Sequence, residues 1–526
     1  MHDRCMDGSD VQDSSGRGPH YVSDIALLAA VAWTSETAEE NALPMAQNQF
    51  VQEITDQREN FDQWYVDVVQ KAELADDSPV RGTKIMRPYG YGIWELIQGL
   101  LDARFKRTGV ENAYFPLLIP KSMMEREADH IEGFTPEAAW VTIAGGKELE
   151  EPLAIRPTSE SIICPTYARW VQSWRDLPIV MNQWCSVLRW EERPRAFLRT
   201  SEFLWQEGHT AHATPEEAEA RARQMLEVYR SLLEDDLAIP VIPGVKSESE
   251  KFAGAYRTYT VEAMMGGKNW ALQSGTSHNL GDHFGKAFDI RFLDKDGERK
   301  YAFSTSWGLS QRTIGAIIMV HGDERGLKIP PKVAPVQAVI VPILGRAKNG
   351  EEIIAKAHEL RDSLSASIRA RVDDRDDRSP GYKFNHWELK GVPIRIELGP
   401  RDLAADQAVL VMRDTGEKRT VPLSELATAI SDELASMQDR LYAAASERLR
   451  TLTVEVDSWE TFVDRIATNA GWNLSWWCGD ATCEAKIKTE TKATTRCIPF
   501  AQNGDSGPCI VCGGTATERA IFARAY

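Results

Sequence analysis

The segment Ile329-Pro-Pro-Lys-Val-Ala-Pro carries three prolines in seven residues, and no helix or central strand can pass through it. Each proline lacks a backbone N–H and disfavours helical backbone in the residue before it. The chain is therefore divided here. Downstream, the near-continuous apolar run VQAVIVPIL leads to a helix over 351–367, the strand IRARVDD, a short helix and the strand VPIRIEL. Strands alternating with helices predict a compact parallel-type α/β domain. A hairpin around Asp414-Thr-Gly-Glu and a long charged helix to about Arg450 close it.

A chain of 526 residues is too long for one core, so about three domains are expected. Residues 1–44 are polar, acidic and aperiodic, and read as a disordered tail or a mis-called leader, with Met45 as the start. Phe61, Trp64, Tyr65, Val68 and Val69 then fall at helical spacing, as do Ile93, Leu96, Ile97, Leu100, Leu101 and Phe105. The stretch from Asn112 to Pro120 reads as one strand carrying two prolines, hence an edge strand or one at a subunit boundary. The run Ile25 to Trp33 is too short for a membrane span, and its leader is acidic. The net charge of −17 argues against a uniformly basic, nucleic-acid-binding surface. One basic track on an acidic chain stays compatible with that charge, because the field near a surface is set locally.

The richest chemistry lies in VLRWEERPRAFLRTSEFLWQEGHTAH, residues 187–212. Period-2 alternation predicts that Val187, Arg189 and Glu191 share one strand face, and Phe203, Trp205, Glu207 and His209 another. An exposed hairpin laced with ion pairs is the bland alternative. Against it, Trp205 is costly to leave in water, and aromatics interleaved with ionisable groups suit a small polar ligand with an apolar ring. A second segment, FSTSWGLSQRTIGAIIMVHGDERGLKIPP, takes a strand through Gly308 into a helix and puts Arg312 in its first turns, where the macrodipole disfavours a cation. An anionic ligand would explain that placement; snorkelling to solvent is the alternative. Arg156-Pro-Thr-Ser-Glu is read as a strand whose face presents Thr158 and Glu160, a hydroxyl and a carboxylate suited to an amine.

Five of the eight cysteines lie in the last 49 residues. Cys478-x4-Cys483, 25 intervening residues and Cys509-x2-Cys512 have the form of a four-thiolate zinc site, with Gly479, Gly513 and Gly514 easing the turns. Cys497 is a rival ligand, and reduced cysteines without metal are the alternative.

The 187–212 segment resembles motif 2 of class II aminoacyl-tRNA synthetases in its prolyl form, and the Phe303–Pro331 segment resembles motif 3. Residues 93–120 resemble motif 1, and Gln273-Ser-Gly-Thr-Ser-His-Asn-Leu-Gly the family's intervening strand and turn. These segments occur in the family's order. The resemblance implies an α+β multidomain enzyme: a leader over 1–44, an antiparallel-sheet class II catalytic core over 45–332, an α/β anticodon-binding domain over 333–440, where Gly399-Pro-Arg-Asp-Leu adds to the likeness, and a small C-terminal zinc-binding α+β domain over 441–526. It implies the archaeal/eukaryotic-like architecture, since the 90 residues between His212 and Phe303 leave no room for a large editing insertion.

The same resemblance implies the site. Arg189 would bridge the amino-acid carboxylate and the α-phosphate of ATP, and Arg312 would hold the γ-phosphate. Thr158, Glu160, Trp205, Glu207, His209, His278, Ser306 and Gly308 would form the proline pocket, floored in part by Trp307. Glu191, Arg199, Thr200, Gln273, Thr276 and Ser310 would complete the ATP site. Substrates and partners would be L-proline, ATP with Mg2+, tRNA(Pro) and a second subunit in a cytoplasmic homodimer, with a structural Zn2+ and no membrane. A threonine, glycine or histidine enzyme of the same class, or a tRNA-binding paralogue without catalysis, are the competing expectations. Retention of both Arg189 and Arg312 disfavours the paralogue.

Overall fold

The computed structural model describes residues 53–130, 138–344 and 349–526. The reading of residues 1–44 lies outside them. Two amphipathic helices open the described chain. In α1 (Phe61–Lys71), Phe61, Trp64, Tyr65, Val68 and Val69 are buried, and the Asn60 side chain caps the N-terminus by accepting from Gln63 N. Helix α2 (Pro88–Arg107) starts with proline at its first position and buries Ile93, Trp94, Ile97, Leu101 and Phe105. Gly109, at φ +80°, turns the chain away after it.

The Asn112–Pro120 stretch is two short strands rather than one. The first, β1 (Glu111–Asn112), pairs in parallel with β2 (Ile179–Leu188) at an edge of the large sheet. The second (Leu118–Pro120) joins an edge of a separate three-stranded sheet with Trp140–Ala144 and Lys147–Ile155. Both pieces occupy edges; Pro120 in the second suits an edge position, while the first holds no proline and Pro116 lies in the loop that separates them.

The large sheet continues through β3 (Glu202–His212), β4 (Val241–Val245), β5 (Arg257–Met264), β6 (Ala271–Gly281) and β7 (Phe303–Ser310). From β2 the spatial order is β3, β7, β6, β5, β4, and every one of these pairings is antiparallel. Helix α3 (Glu160–Trp170) lies before β2, and α4 (Pro215–Ser231) crosses one face of the sheet between β3 and β4. Helix α5 (Arg312–His321) follows β7 directly and is buried on almost all sides. Trp64, Tyr65, Phe105, Tyr229 and Trp307 meet in the main core beneath the sheet.

Past the proline segment, β8 (Ala338–Pro342) lies parallel to both β9 (Ala370–Val372) and β10 (Ile394–Leu398). The antiparallel strands β11 (Gln407–Met412) and β12 (Lys418–Pro422) then extend the sheet. Helix α6 (Gly350–Leu364) packs its apolar side on this sheet, and α7 (Pro380–Leu389) is capped by Ser379. Helix α8 (Leu426–Leu452) runs without interruption past residue 440, so the expected boundary there falls inside a helix.

The C-terminal residues do not form a detached unit. Strands β13 (Thr453–Glu455), β14 (Trp472–Trp477), β15 (Thr494–Pro499) and β16 (Glu518–Ala523) continue the large sheet, because β15 pairs with β4 through Ile498↔Val245 and Pro499↔Gly244. The result is one sheet of eleven strands. Gly244 is required at this seam: a Cβ there would stand 2.4 Å from the Ile498 carbonyl oxygen. Between β14 and β15 lies α9 (Ala481–Thr491), capped by Asp480.

Candidate active site

Strand register builds the site. His278 on β6 is level with Ser306 on β7, which is level with His209 on β3. Two residues along, Thr276, Gly308 and Glu207 form a second row, and Ser310 faces Trp205 in a third. Because alternate residues share a face, all of these side chains border one cavity of about 260 Å³. Gly308 lies beside the Trp205 ring, 3.7 Å from where a Cβ would stand, an ordinary contact distance. Trp307 borders the cavity too, but its indole is buried in the main core, 6.2 Å from the Phe105 ring centroid.

Arg189 and Arg312 enter the same cavity from different elements. Strand β2 stops at Leu188, so Arg189 stands just past its end, with its Nε donating to Pro157 O at 2.9 Å and its guanidinium over the Trp205 ring at 5.3 Å. Burial lowers its pKa, against the raising charges of Glu160 and Glu207. Arg312 is the first residue of α5 and donates from Nε to Leu198 O at 3.1 Å. Burial, reinforced by the charges of Arg199 and Arg189, brings it down to about 10. Three guanidinium groups thus share one field, and a polyanion is the ligand that relieves it.

The same cavity also holds an acidic pocket. Glu160, Glu207 and His209 each offer a ligand atom within 4.8 Å of the others, and all three are buried. Thr158 and Glu160 are brought together as expected, though not on a strand. The preceding strand ends at Ile155, before Pro157, and Glu160 opens α3; the Thr158 hydroxyl donates to the Glu160 carboxylate. Glu207 accepts from the Ser159 hydroxyl, from Ser159 N at 3.2 Å and from Gln183 Nε2 at 2.8 Å, and its Oε2 lies 3.1 Å from His209 Nε2. Burial pushes Glu207 up, but these partners outweigh it and hold the carboxyl low. Burial likewise pushes His209 down, yet Glu207 and Glu160 raise it overall. His278 is different. Burial and the His209 charge push it down to about 3, so it is a neutral ring, bonded from Nδ1 to Thr258 Oγ1 at 3.0 Å and packed on Phe252 at 4.7 Å.

Of the residues expected to bind ATP, Gln273, Thr276 and Ser310 border the cavity with the two arginines, while Glu191, Arg199 and Thr200 do not. Residues 189–201 form a loop, with Phe197 at φ +61°, so strand alternation does not apply there. Glu191 faces Arg199 at 3.5 Å outside the cavity. Thr200 is buried, donating to Glu202 O at 2.7 Å and accepting from Gln311 Nε2 at 3.3 Å. Sequence reasoning missed Glu250, Lys251, Phe252 and Thr258, which also line the cavity. The first three sit on a charged loop without periodicity; only the fold carries it to the site.

The four C-terminal cysteines also converge. Sγ of Cys478 is 3.7 Å from that of Cys483 and 3.9 Å from that of Cys512, and all four sulfurs of Cys478, Cys483, Cys509 and Cys512 lie within 4.8 Å of one another. A tetrahedron with metal–sulfur bonds of about 2.3 Å has edges of roughly 3.8 Å, so the set fits Zn2+. Cys497 is excluded from it: its side chain is fully buried beside Trp472 and Ile521.

An antiparallel sheet carrying paired arginines on a motif 2-like loop and a motif 3-like helix defines a class II aminoacyl-tRNA synthetase. Residues 140–321 match the tRNA synthetase class II core domain for Gly, His, Pro, Ser and Thr, residues 337–433 an anticodon binding domain, and residues 459–526 the prolyl-tRNA synthetase C-terminal domain. The chain is 53% identical over 481 residues to the proline–tRNA ligase of Natranaerobius thermophilus, covering 91% of this chain and 99% of the relative. It is 52% identical over 485 residues to proline–tRNA ligase 2 of Clostridioides difficile, covering 92% and 100%. The crystal structure of prolyl-tRNA synthetase from Cryptosporidium parvum, complexed with halofuginone and AMPPNP, matches with a TM-score of 0.86 at 42% identity, covering 90% of this chain and 99% of that one. The chain belongs to the prolyl-tRNA synthetase family, the proline–tRNA ligases. No described helix is long and apolar enough to cross a membrane.

Proposed function

We propose that the cavity is where L-proline and ATP are condensed to prolyl-adenylate before the prolyl group passes to the 3′ end of tRNA(Pro). The observation that carries this reading is the entry of Arg189 and Arg312 into the cavity that also holds Thr158, Glu160 and His209. A proline carboxylate oxygen attacks the α-phosphorus, a new P–O bond forms, and pyrophosphate leaves. Two anions must meet for that. Arg189, between the acidic pocket and Arg312, neutralises the charge that develops, and Arg312 draws the triphosphate tail. Gln273, Thr276 and Ser310 are assigned to ATP, in keeping with the AMPPNP held by the Cryptosporidium relative, with Mg2+ as the nucleotide's counter-ion.

The imino nitrogen is assigned to Thr158 and Glu160, with His209, His278, Ser306 and Gly308 beside the ring and Trp205 behind Arg189. The three groups of the acidic pocket would also suit a metal ion. Glu207 argues against one: its four acceptor positions already serve Ser159 twice, Gln183 and His209. Glu207 therefore acts by orienting His209 and Ser159. At the C-terminus, Cys478, Cys483, Cys509 and Cys512 would hold a structural Zn2+, since four thiolates leave no open position for chemistry.

The reading includes a cytoplasmic homodimer. Tyr114, Leu117, Leu118, Trp140 and Trp170 are exposed apolar groups around the motif 1-like strand, a patch that suits a second copy of the chain; sedimentation at micromolar concentration yielding only monomer would remove it. The central test is ATP–pyrophosphate exchange across a panel of amino acids. Proline-dependent exchange is expected, and exchange that ignores proline would overturn the substrate assignment.

A further inference from the structure

The cavity has one wall that the catalytic sheet does not hold by itself. Glu250, Lys251 and Phe252 line it from the loop between β4 and β5. Phe252 packs on His278 with ring centroids 4.7 Å apart, and its backbone N–H donates to Thr258 Oγ1 at 3.0 Å. The root of this loop is Ser247, whose carbonyl accepts from Lys251 N at 2.9 Å and Glu250 N at 3.2 Å. Ser247 is itself held from the C-terminal unit. Its hydroxyl donates to Glu484 Oε1 on α9 at 2.6 Å, with both residues buried. On the outer side, Lys488 of the same helix faces Glu250 at 3.6 Å. That exposed pair contributes little; the buried Ser247–Glu484 bond is the firm one.

A second brace stands beside it. Glu262 on β5 accepts from Lys246 Nζ at 2.8 Å and from Arg496 NH2 at 2.8 Å, and Lys246 also donates to Arg496 O at 2.8 Å. Residues 246 and 247 are therefore both fixed to residues of the C-terminal unit. The helix that supplies Glu484 starts in the thiolate cluster, because Cys483 immediately precedes Glu484 in its first turn.

We propose that Glu484 is a positioning residue for the amino-acid pocket: through Ser247 it sets where Phe252 and its neighbours stand, so the cysteine cluster supports a wall of the active site over 200 residues away in sequence. Glu484 touches no substrate. It acts by removing alternative loop conformations that would otherwise compete with the binding-competent one. Losing it raises the concentration of proline needed to fill the pocket and leaves the chemical step, set by Arg189 and Arg312, nearly unchanged.

The inference rests on reading the cavity as the proline site, and wild-type proline-dependent exchange is the control for that reading. Full-length Glu484→Ala, Ser247→Ala, the double variant and Glu484→Gln are compared by ATP–pyrophosphate exchange, normalised to titrated active sites, with zinc content and melting temperature measured on the same samples. Each alanine variant should raise the KM for proline on the order of tenfold with kcat within about twofold. The double variant should match the singles, because both remove one bond. Glu484→Gln keeps an acceptor oxygen for the Ser247 hydroxyl and should recover most of the affinity. Ser247→Ala lies on the catalytic side and keeps the test decisive if Glu484→Ala folds poorly. An unchanged proline KM in Ser247→Ala, or additive losses in the double variant, would overturn the proposal, as would losses that merely track zinc content. Absence of proline-dependent exchange in the wild type would instead remove the underlying reading of the cavity.

Discussion

His209 Nε2 stands 3.1 Å from Glu207 Oε2, two residues apart on one strand face and both buried at the floor of the acidic pocket. Each partner is moved toward its charged form by the other, against the burial that opposes both. The pair thereby holds the imidazole against the carboxylate inside the pocket and leaves Glu160 as the neighbouring carboxylate without a histidine partner of its own among the described residues.

A pH dependence follows from that pair. His209 is raised in the folded state, so its contribution is complete below the ordinary value of 6.5 and is lost as pH climbs through the raised one. Glu207 is lowered, so its contribution is present above 4.5 and is lost as pH falls through the depressed value. Glu207→Gln should therefore destabilise the protein by about 3 kcal/mol near neutrality. The gap to wild type should narrow as the solution is made alkaline. Thermal melts of both proteins across pH test this, and a gap that widens with rising pH would refute it.

The two arginines should behave as transition-state groups. Arg189→Ala is expected to cost about 3 kcal/mol or more, a loss of at least about a hundredfold in kcat/KM for exchange. Arg312→Ala should act mainly through ATP, because the charges that bear most strongly on it are those of Arg199 and Arg189. Steady-state exchange with ATP and proline varied separately distinguishes the two. An Arg189 variant defective only in ATP affinity would contradict the assignment.

Metal analysis should find one zinc per chain. Cys478→Ser or Cys509→Ser should lose it and lower the melting temperature, since the thiolates join both ends of the C-terminal fold. Cys497→Ser should keep the metal, because its sulfur lies in a different apolar cluster. Zinc retained in Cys509→Ser would mean the ligand set is wrong.

Alanine should be activated at a measurable rate. A pocket shaped for the proline ring cannot strongly reject a smaller side chain, as each missing methylene is worth about 1–3 kcal/mol. Between β3 and β7 the chain is occupied by α4, three strands of the main sheet and short connecting elements, with no separate hydrolytic domain. Exchange driven by alanine checks this; discrimination beyond about 10⁵ would contradict it.

The parts of the site legible in the sequence were those fixed by local rules. Period-2 spacing placed Phe203, Trp205, Glu207 and His209 on one face, and all four border the cavity. The same rule failed for Glu191, because β2 ends at Leu188 and alternation stops with it. It failed again for Thr158 and Glu160, where Pro157 breaks the strand and a helix begins at Glu160. Nothing local marks Glu250 or Phe252: they sit on an aperiodic loop whose root, Ser247, is bonded to Glu484, more than 230 positions away. The continuity of the C-terminal strands with the catalytic sheet was equally hidden: one short pairing of β15 with β4 makes it, and no periodicity announces a partner so distant.

That seam also bears on how the chain must be made. Strand β4 leaves the ribosome long before β15, which is encoded about 250 residues later. Until then its outer N–H and C=O groups stand open at the flank of a half-built sheet, a surface on which strands of other nascent chains can pair. A product truncated before residue 494 would keep every arginine of the cleft and still be prone to aggregate.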